Sequence, residues 1–198
     1  MIEALAVAWS ATSNLELVSV LFGLLYVILA ARENAWCWPA ALLGTGTAIF
    51  LFWDASLLME SALNVYYLLM AVYGWWQWRH GGAQNTALKI SSFGFKHHAL
   101  CLSLILAMTL LSGTLLDRNT DAALPFVDSF TTWAAVLTTW MVANKILENW
   151  LYWIVIDCVS VWLYLERGLV LYAALFVIYT AIALFAYFKW RASFSHGR

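Results

Sequence analysis

Residues 54–79, DASLLMESALNVYYLLMAVYGWWQWR, and residues 166–191, ERGLVLYAALFVIYTAIALFAYFKWR, align without a gap at an offset of 112. Identical residues fall at Leu57/Leu169, Ala62/Ala174, Leu63/Leu175, Val65/Val177, Tyr67/Tyr179, Ala71/Ala183, Trp78/Trp190 and Arg79/Arg191. Composition alone gives about two or three matches in a window this apolar. Each segment opens on a charge, runs apolar for about 20 residues, the length of a helix that crosses a bilayer, and closes on Trp–Arg. The same offset pairs Glu16 with Asp128 and Ala31 with Ala143, and a two-residue shift then pairs Trp36 with Trp150. Chance similarity between apolar helices is the competing explanation. The preferred one is that these segments are the third helices of two related three-helix units.

The rest of the chain fits that plan. Apolar runs near 15–31, 36–53, 57–78, 98–116, 127–144, 149–165 and 168–189 are separated by charge or turn residues, among them Arg32-Glu33-Asn34, Asp54, Lys145 and Glu166-Arg167-Gly168. They predict an all-α integral membrane protein of seven spans. An extramembrane N-terminus (1–14) precedes a first three-helix unit (15–79), a loop and linking helix 4 (80–126), a second unit (127–191) and a short tail (192–198). An odd unit, one linking helix and a second odd unit make two parallel repeats, an arrangement that in transporters carries the substrate site between the repeats. Barrel strands would instead need short alternating segments.

Composition agrees. Of 198 residues, 64% are hydrophobic and 11% charged, with a mean hydropathy of +0.79. A soluble domain is about 25% charged; this chain cannot cover its apolar surface with so few charges, so lipid is its solvent. Its basic residues also lie unevenly. Arg32, Arg79, Lys89, Lys96, Lys145, Lys189, Arg191 and Arg198 fall on one side of the seven spans, and only Arg118 and Arg167 on the other. The positive-inside rule then predicts a cytoplasmic C-terminus and an N-terminus outside. The N-terminus carries Glu3 and no Lys or Arg before Asn14, so it lacks the basic start of a cleaved signal peptide, and the first span is expected to stay.

Several functions find no support. There is no basic run for nucleic acid, no HExxH or Walker loop, no serine–histidine pair at one depth, and no lysine midway along the seventh span for a retinal Schiff base. Cys37, Cys101 and Cys158 show no paired spacing and read as small membrane-buried residues. No cofactor or metal is expected. Trp36, Trp53, Trp75, Trp76, Trp78 and Trp190 lie near span ends and read as an interfacial aromatic belt.

Polar residues inside the spans are expensive and mark candidate sites. Glu60, Asn64 and Tyr67 share one face of helix 3, although Asn64 could serve only an interhelical hydrogen bond. On helix 6, Asn149, Trp153 and Asp157 are spaced four apart with Trp150 beside them. Such a stripe offers π faces and a negative charge to a flat cationic ligand; the alternative is a buried, neutralised Asp157. Asp128, at the start of helix 5, is a second polar contact near the outer mouth.

The strings Leu63-Asn-Val-Tyr-Tyr67, Val72-Tyr-Gly-Trp-Trp-Gln-Trp78, Asp128-Ser-Phe130 and Glu148-Asn-Trp-Leu-Tyr-Trp153 resemble the Pnu vitamin transporters, in the same order and over nearly the whole chain. The resemblance implies a 3+1+3 fold similar to full-length SWEET-type transporters, in a bacterial inner membrane. It implies a central site for an unphosphorylated water-soluble vitamin, facilitated diffusion with trapping by a cytoplasmic vitamin kinase, and a homotrimer. The nicotinamide riboside branch tends to carry Gln where Asn64 stands and Asn where Asp157 stands. The carboxylate therefore favours thiamine, with nicotinamide riboside, also cationic, as the alternative. A heptahelical receptor or sensor is the alternative from another class; it matches the topology but leaves the repeat unexplained.

Overall fold

A computed structural model describes residues 14–54, 58–120, 124–166, 168 and 170–196. Among them lie seven α-helices: α1 (Asn14–Ala31), α2 (Cys37–Asp54), α3 (Leu58–His80), α4 (Phe95–Asn119), α5 (Pro125–Ala143), α6 (Asn149–Glu166) and α7 (Val170–His196). They match the seven expected spans, although α7 continues through most of the expected tail. The expected N-terminal segment, apart from Asn14, lies outside the described residues. No strand occurs among these residues, only an isolated bridge between Ser91 and Ile146. Pro125 opens α5, where its missing N–H has no helical partner to lose.

The helices close into a ring. α1 packs on α2, α2 on α3, α3 on α5, α5 on α6, α6 on α7, and α7 back on α1. α4 stands outside, against α5. The ring therefore has two seams between its halves, α1 with α7 and α3 with α5, and these place α2 and α6 on opposite sides. The outer surface is lipid-like. On α4, Leu100, Leu102, Leu104, Leu106, Leu110, Leu111 and Leu115 are all exposed. An 18-residue helix is about 27 Å long, close to the hydrocarbon thickness of about 30 Å.

The ends of α1 and α5 are built alike. Glu33 and Lys145 both have left-handed backbone, at φ 56° and φ 50°. Around the first, the N–H groups of Glu33 and Asn34 donate to the carbonyls of Ala30 and Leu29; around the second, those of Lys145 and Ile146 donate to Val142 and Met141. Both of these closing bonds have their counterparts 112 residues on. This is a Schellman closure, whose left-handed slot usually holds glycine. A side chain in that slot costs roughly 1–2 kcal/mol, so both turns carry strain that a glycine would avoid.

A tryptophan cluster fills the space between these turns. Trp78 donates its indole N–H to the Val142 carbonyl at 3.0 Å, and Trp190 donates to the Ala30 carbonyl at 3.1 Å. Trp38 meets Trp78 edge-on with centroids 5.6 Å apart at 87°, and Trp150 meets Trp190 at 5.4 Å and 87°. Alanines 30, 31, 71, 143, 183 and 186 bring the backbones close enough for this. Gly74 is required here: a Cβ would enter the ring of Trp38.

Two sequence expectations are corrected by this cluster. Trp78 and Trp190 are core residues, not belt residues, because their indole donors are spent on carbonyls across the seams. Trp36, 64% exposed, and Trp76 remain at the surface; the side chain of Trp53 lies outside the described residues. The partner of Trp150 at offset 112 is Trp38, with no shift, and not Trp36, which packs against Trp75 at 5.5 Å. Of the cysteines, Cys37 and Cys101 are buried, whereas Cys158 is exposed on the outer face of α6.

Candidate functional site

The inner face of α6 is set by helical spacing. Leu151, Val155, Cys158, Trp162 and Leu165 point outward and are exposed, so Asn149, Trp150, Ile156, Asp157, Ser160 and Leu163 turn inward and are buried. Asp157 is 3% exposed. No basic side chain among the described residues lies within ion-pair distance of it; the ion pair among those residues, Lys145 with Glu33, lies beyond the start of α6. A carboxylate in that position is expensive unless something cationic or hydrogen-bonding faces it.

Several tyrosines line the ring. The Tyr179 phenol, on α7, lies within electrostatic reach of Asp157. Tyr67, on α3, is within reach of Tyr26 on α1 and of Tyr164 on α6. Tyr164 stacks on Phe176 at 5.2 Å, and Phe176 meets Tyr179 at 5.7 Å. Thus α1, α3, α6 and α7 each contribute a half-buried phenol, and that of Tyr179 is the one that faces Asp157. Gly23 on α1 permits this: a Cβ there would stand 3.0 Å from the Tyr179 hydroxyl.

The candidate residues do not form one cluster. Asp157 lies midway along α6, and Tyr67 near the middle of α3. Asn149 and Trp150 lie about 12 Å nearer the Lys145 end, at a rise of 1.5 Å per residue. Trp150 is packed edge-on to Trp190, and the Asn149 amide donates to the Ile146 carbonyl at 2.6 Å. Trp153 is half-buried and joins the tryptophan cluster to a smaller one formed by Ile105, Ala134 and Ile156. Asn64 and Asp128 lie toward the opposite end, half-buried. The side chain of Glu60 lies outside the described residues.

Tyr26, Tyr164 and Tyr179 are absent from the sequence-derived set. Tyr179 had a signal, as the repeat partner of Tyr67. Tyr164 extends the Asp157 stripe by seven residues. For Tyr26 the sequence carries no such mark.

The interior also holds hydrogen-bonding capacity that the protein does not use. Trp38 Nε1, Trp150 Nε1, Asn149 Oδ1, Thr138 Oγ1 and Ser129 Oγ are buried without a protein partner. Each such group costs roughly 1–3 kcal/mol if nothing meets it. No group of His, Cys, Asp or Glu among the described residues could hold a metal. Aromatic faces, one carboxylate and scattered donors suit a polar aromatic molecule, ideally a cation.

Known proteins agree with a membrane transporter. The chain is similar to the riboflavin/roseoflavin transporter RibM of Streptomyces davaonensis, at 22% identity over 181 residues, covering 88% of this chain and 83% of that one. It is similar to the nicotinamide riboside transporter PnuC of Escherichia coli, at 25% identity over 197 residues, covering 87% and 82%. Its fold resembles the crystal structure of the vitamin B3 transporter PnuC, with a TM-score of 0.75 and 20% identity, covering 98% of this chain and 88% of that one. The family model described as nicotinamide mononucleotide transporter matches residues 13–192, and with it the chain belongs to that family, the Pnu vitamin transporters.

Proposed function

We propose that this chain takes up an unphosphorylated cationic vitamin by facilitated diffusion, holding it at the middle of the helical ring. The observation that carries the reading is the buried Asp157 carboxylate with the Tyr179 phenol beside it. Two vitamins meet the charge requirement. Nicotinamide riboside is favoured by the E. coli relative named for it. Thiamine is favoured by a carboxylate at position 157, since an aminopyrimidine pairs with an acid and the thiazolium is cationic.

In this reading α1–α3 and α5–α7 are parallel repeats of a 3+1+3, SWEET-like fold, and they rock about the ligand. The paired turns at Glu33 and Lys145 and the reciprocal Trp78 and Trp190 bonds, all at offset 112, support it. Asp157, Tyr67 and Trp153 contact the vitamin. Asn64 and Asp128 line the way in from one side, and Asn149 and Trp150 the way out. The basic end faces the cytoplasm, where a vitamin kinase traps the product, and the N-terminus faces outward. The protein works as a homotrimer.

Uptake into proteoliposomes tests this. Labelled nicotinamide riboside or thiamine should enter saturably without an ion gradient, and the unlabelled form of the preferred vitamin should compete at lower concentration. Entry of neutral riboflavin with neither cation would defeat the charge argument and leave the family intact.

A further inference from the structure

We propose that Glu33 and Lys145 are the two halves of a gate latch, an ion pair across the ring that holds one end of the pathway shut and must part for that end to open. The proposal rests on the reading of two units that move against each other.

The two residues occupy the same place in the two halves, 112 residues apart and each in the left-handed slot of its turn. Their charges are opposite. Lys145 Nζ lies 3.6 Å from Glu33 Oε2, with the lysine side chain 8% exposed and the glutamate 24%. The ammonium also sits over the ring of Trp78, 4.7 Å from its centroid. Burial pulls the Lys145 pKa below its ordinary value, and Glu33 opposes that shift. Among the described residues this is the ion pair that ties the α1 side of the ring to the α5 side. Glycine would fit both slots with less strain, so the fold keeps charged side chains there for what they do and not for the turn.

Cys37, Trp38 and Trp150 are all buried, and Trp38 meets the Trp78 ring that carries the ammonium. Cys37 is close enough to Lys145 to feel its charge. The latch therefore joins the tryptophan cluster through Trp78, and Cys37, the buried first residue of α2, is a native reporter beside it.

The test measures how fast a maleimide labels Cys37 in detergent-solubilised full-length protein carrying Cys101→Ala and Cys158→Ala. Labelling should be slow in this parent. Glu33→Gln and Lys145→Met should each raise the rate at least tenfold. The swap Glu33→Lys with Lys145→Glu should return it to within about threefold of the parent, because by the repeat geometry the ammonium then meets Trp190 in place of Trp78. Unchanged rates in both single variants overturn the latch. So does a swap that labels as fast as the singles. Lys145→Met leaves no buried unpaired ammonium and serves if Glu33→Gln does not fold; size-exclusion elution of each variant checks the fold. The readout needs no vitamin, so failed uptake with a positive labelling result rejects the transport reading and leaves the latch standing.

Discussion

Trp78 and Trp190 lie against each other with ring centroids 5.8 Å apart, tilted by 58°, and each sends its indole N–H to a carbonyl in the opposite half of the ring. They bond at the two seams, α3 with α5 and α7 with α1, and meet between them. Any motion that widens one seam at this end must break or stretch one of these bonds. The tryptophan pair is thus the structural counterpart, inside the membrane, of the charged pair at the turns.

Trp78→Phe and Trp190→Phe should destabilise the protein by similar amounts. Each removes one donor from a buried carbonyl that keeps its turn N–H, a loss of about 0.5–1.5 kcal/mol. Trp36→Phe, at an exposed position, should cost less than about 0.5 kcal/mol. Thermal unfolding in detergent checks this. A large drop for one core variant and none for the other would mean that the two seams are not equivalent.

The fold was legible because lipid forces long apolar runs, and their ends carry charges that the sequence shows plainly. The likeness between α1–α3 and α5–α7 was legible mainly in α3 and α7, with Glu16/Asp128 and Ala31/Ala143 outside them. It was hidden in the turns, since Glu33 and Lys145 have opposite charge and Cys37 and Asn149 share nothing but burial. Backbone geometry, not residue identity, relates them. The site was half legible: Asp157 stands out as a carboxylate in an apolar run, whereas tyrosines blend into an aromatic-rich background. Trp150 was legible as inward-facing but not as a packing residue, because its contact with Trp190 crosses between two helices.

Asp157→Asn should weaken vitamin binding at least tenfold, about 1.4 kcal/mol. The substitution keeps size and hydrogen-bonding capacity and removes the charge. Calorimetry on the purified protein measures it. Unchanged affinity with altered thermal stability would make Asp157 a structural residue only.

Gly74→Ala should be strongly destabilising, because the added methyl group enters the ring of Trp38, which is itself buried and held against Trp78. Overpacking of this kind costs about 1–3 kcal/mol. Gly46→Ala, in open space on α2, should be neutral or slightly stabilising. The unfolding temperatures of the two variants, compared with the parent, decide whether Gly74 is kept for that contact.

Gly23→Ala should act on the site and not on the fold. Its Cβ would lie 3.0 Å from the Tyr179 hydroxyl, the terminal atom of a side chain that can move. The phenol must shift, and with it the hydroxyl within reach of Asp157. Binding should fall several-fold while the unfolding temperature changes little. Tyr179→Phe removes the clashing oxygen, so the double variant should bind no more weakly than Tyr179→Phe alone. That non-additivity is the signature of two residues acting through one contact. Additive losses would instead place Gly23 and Tyr179 in separate roles.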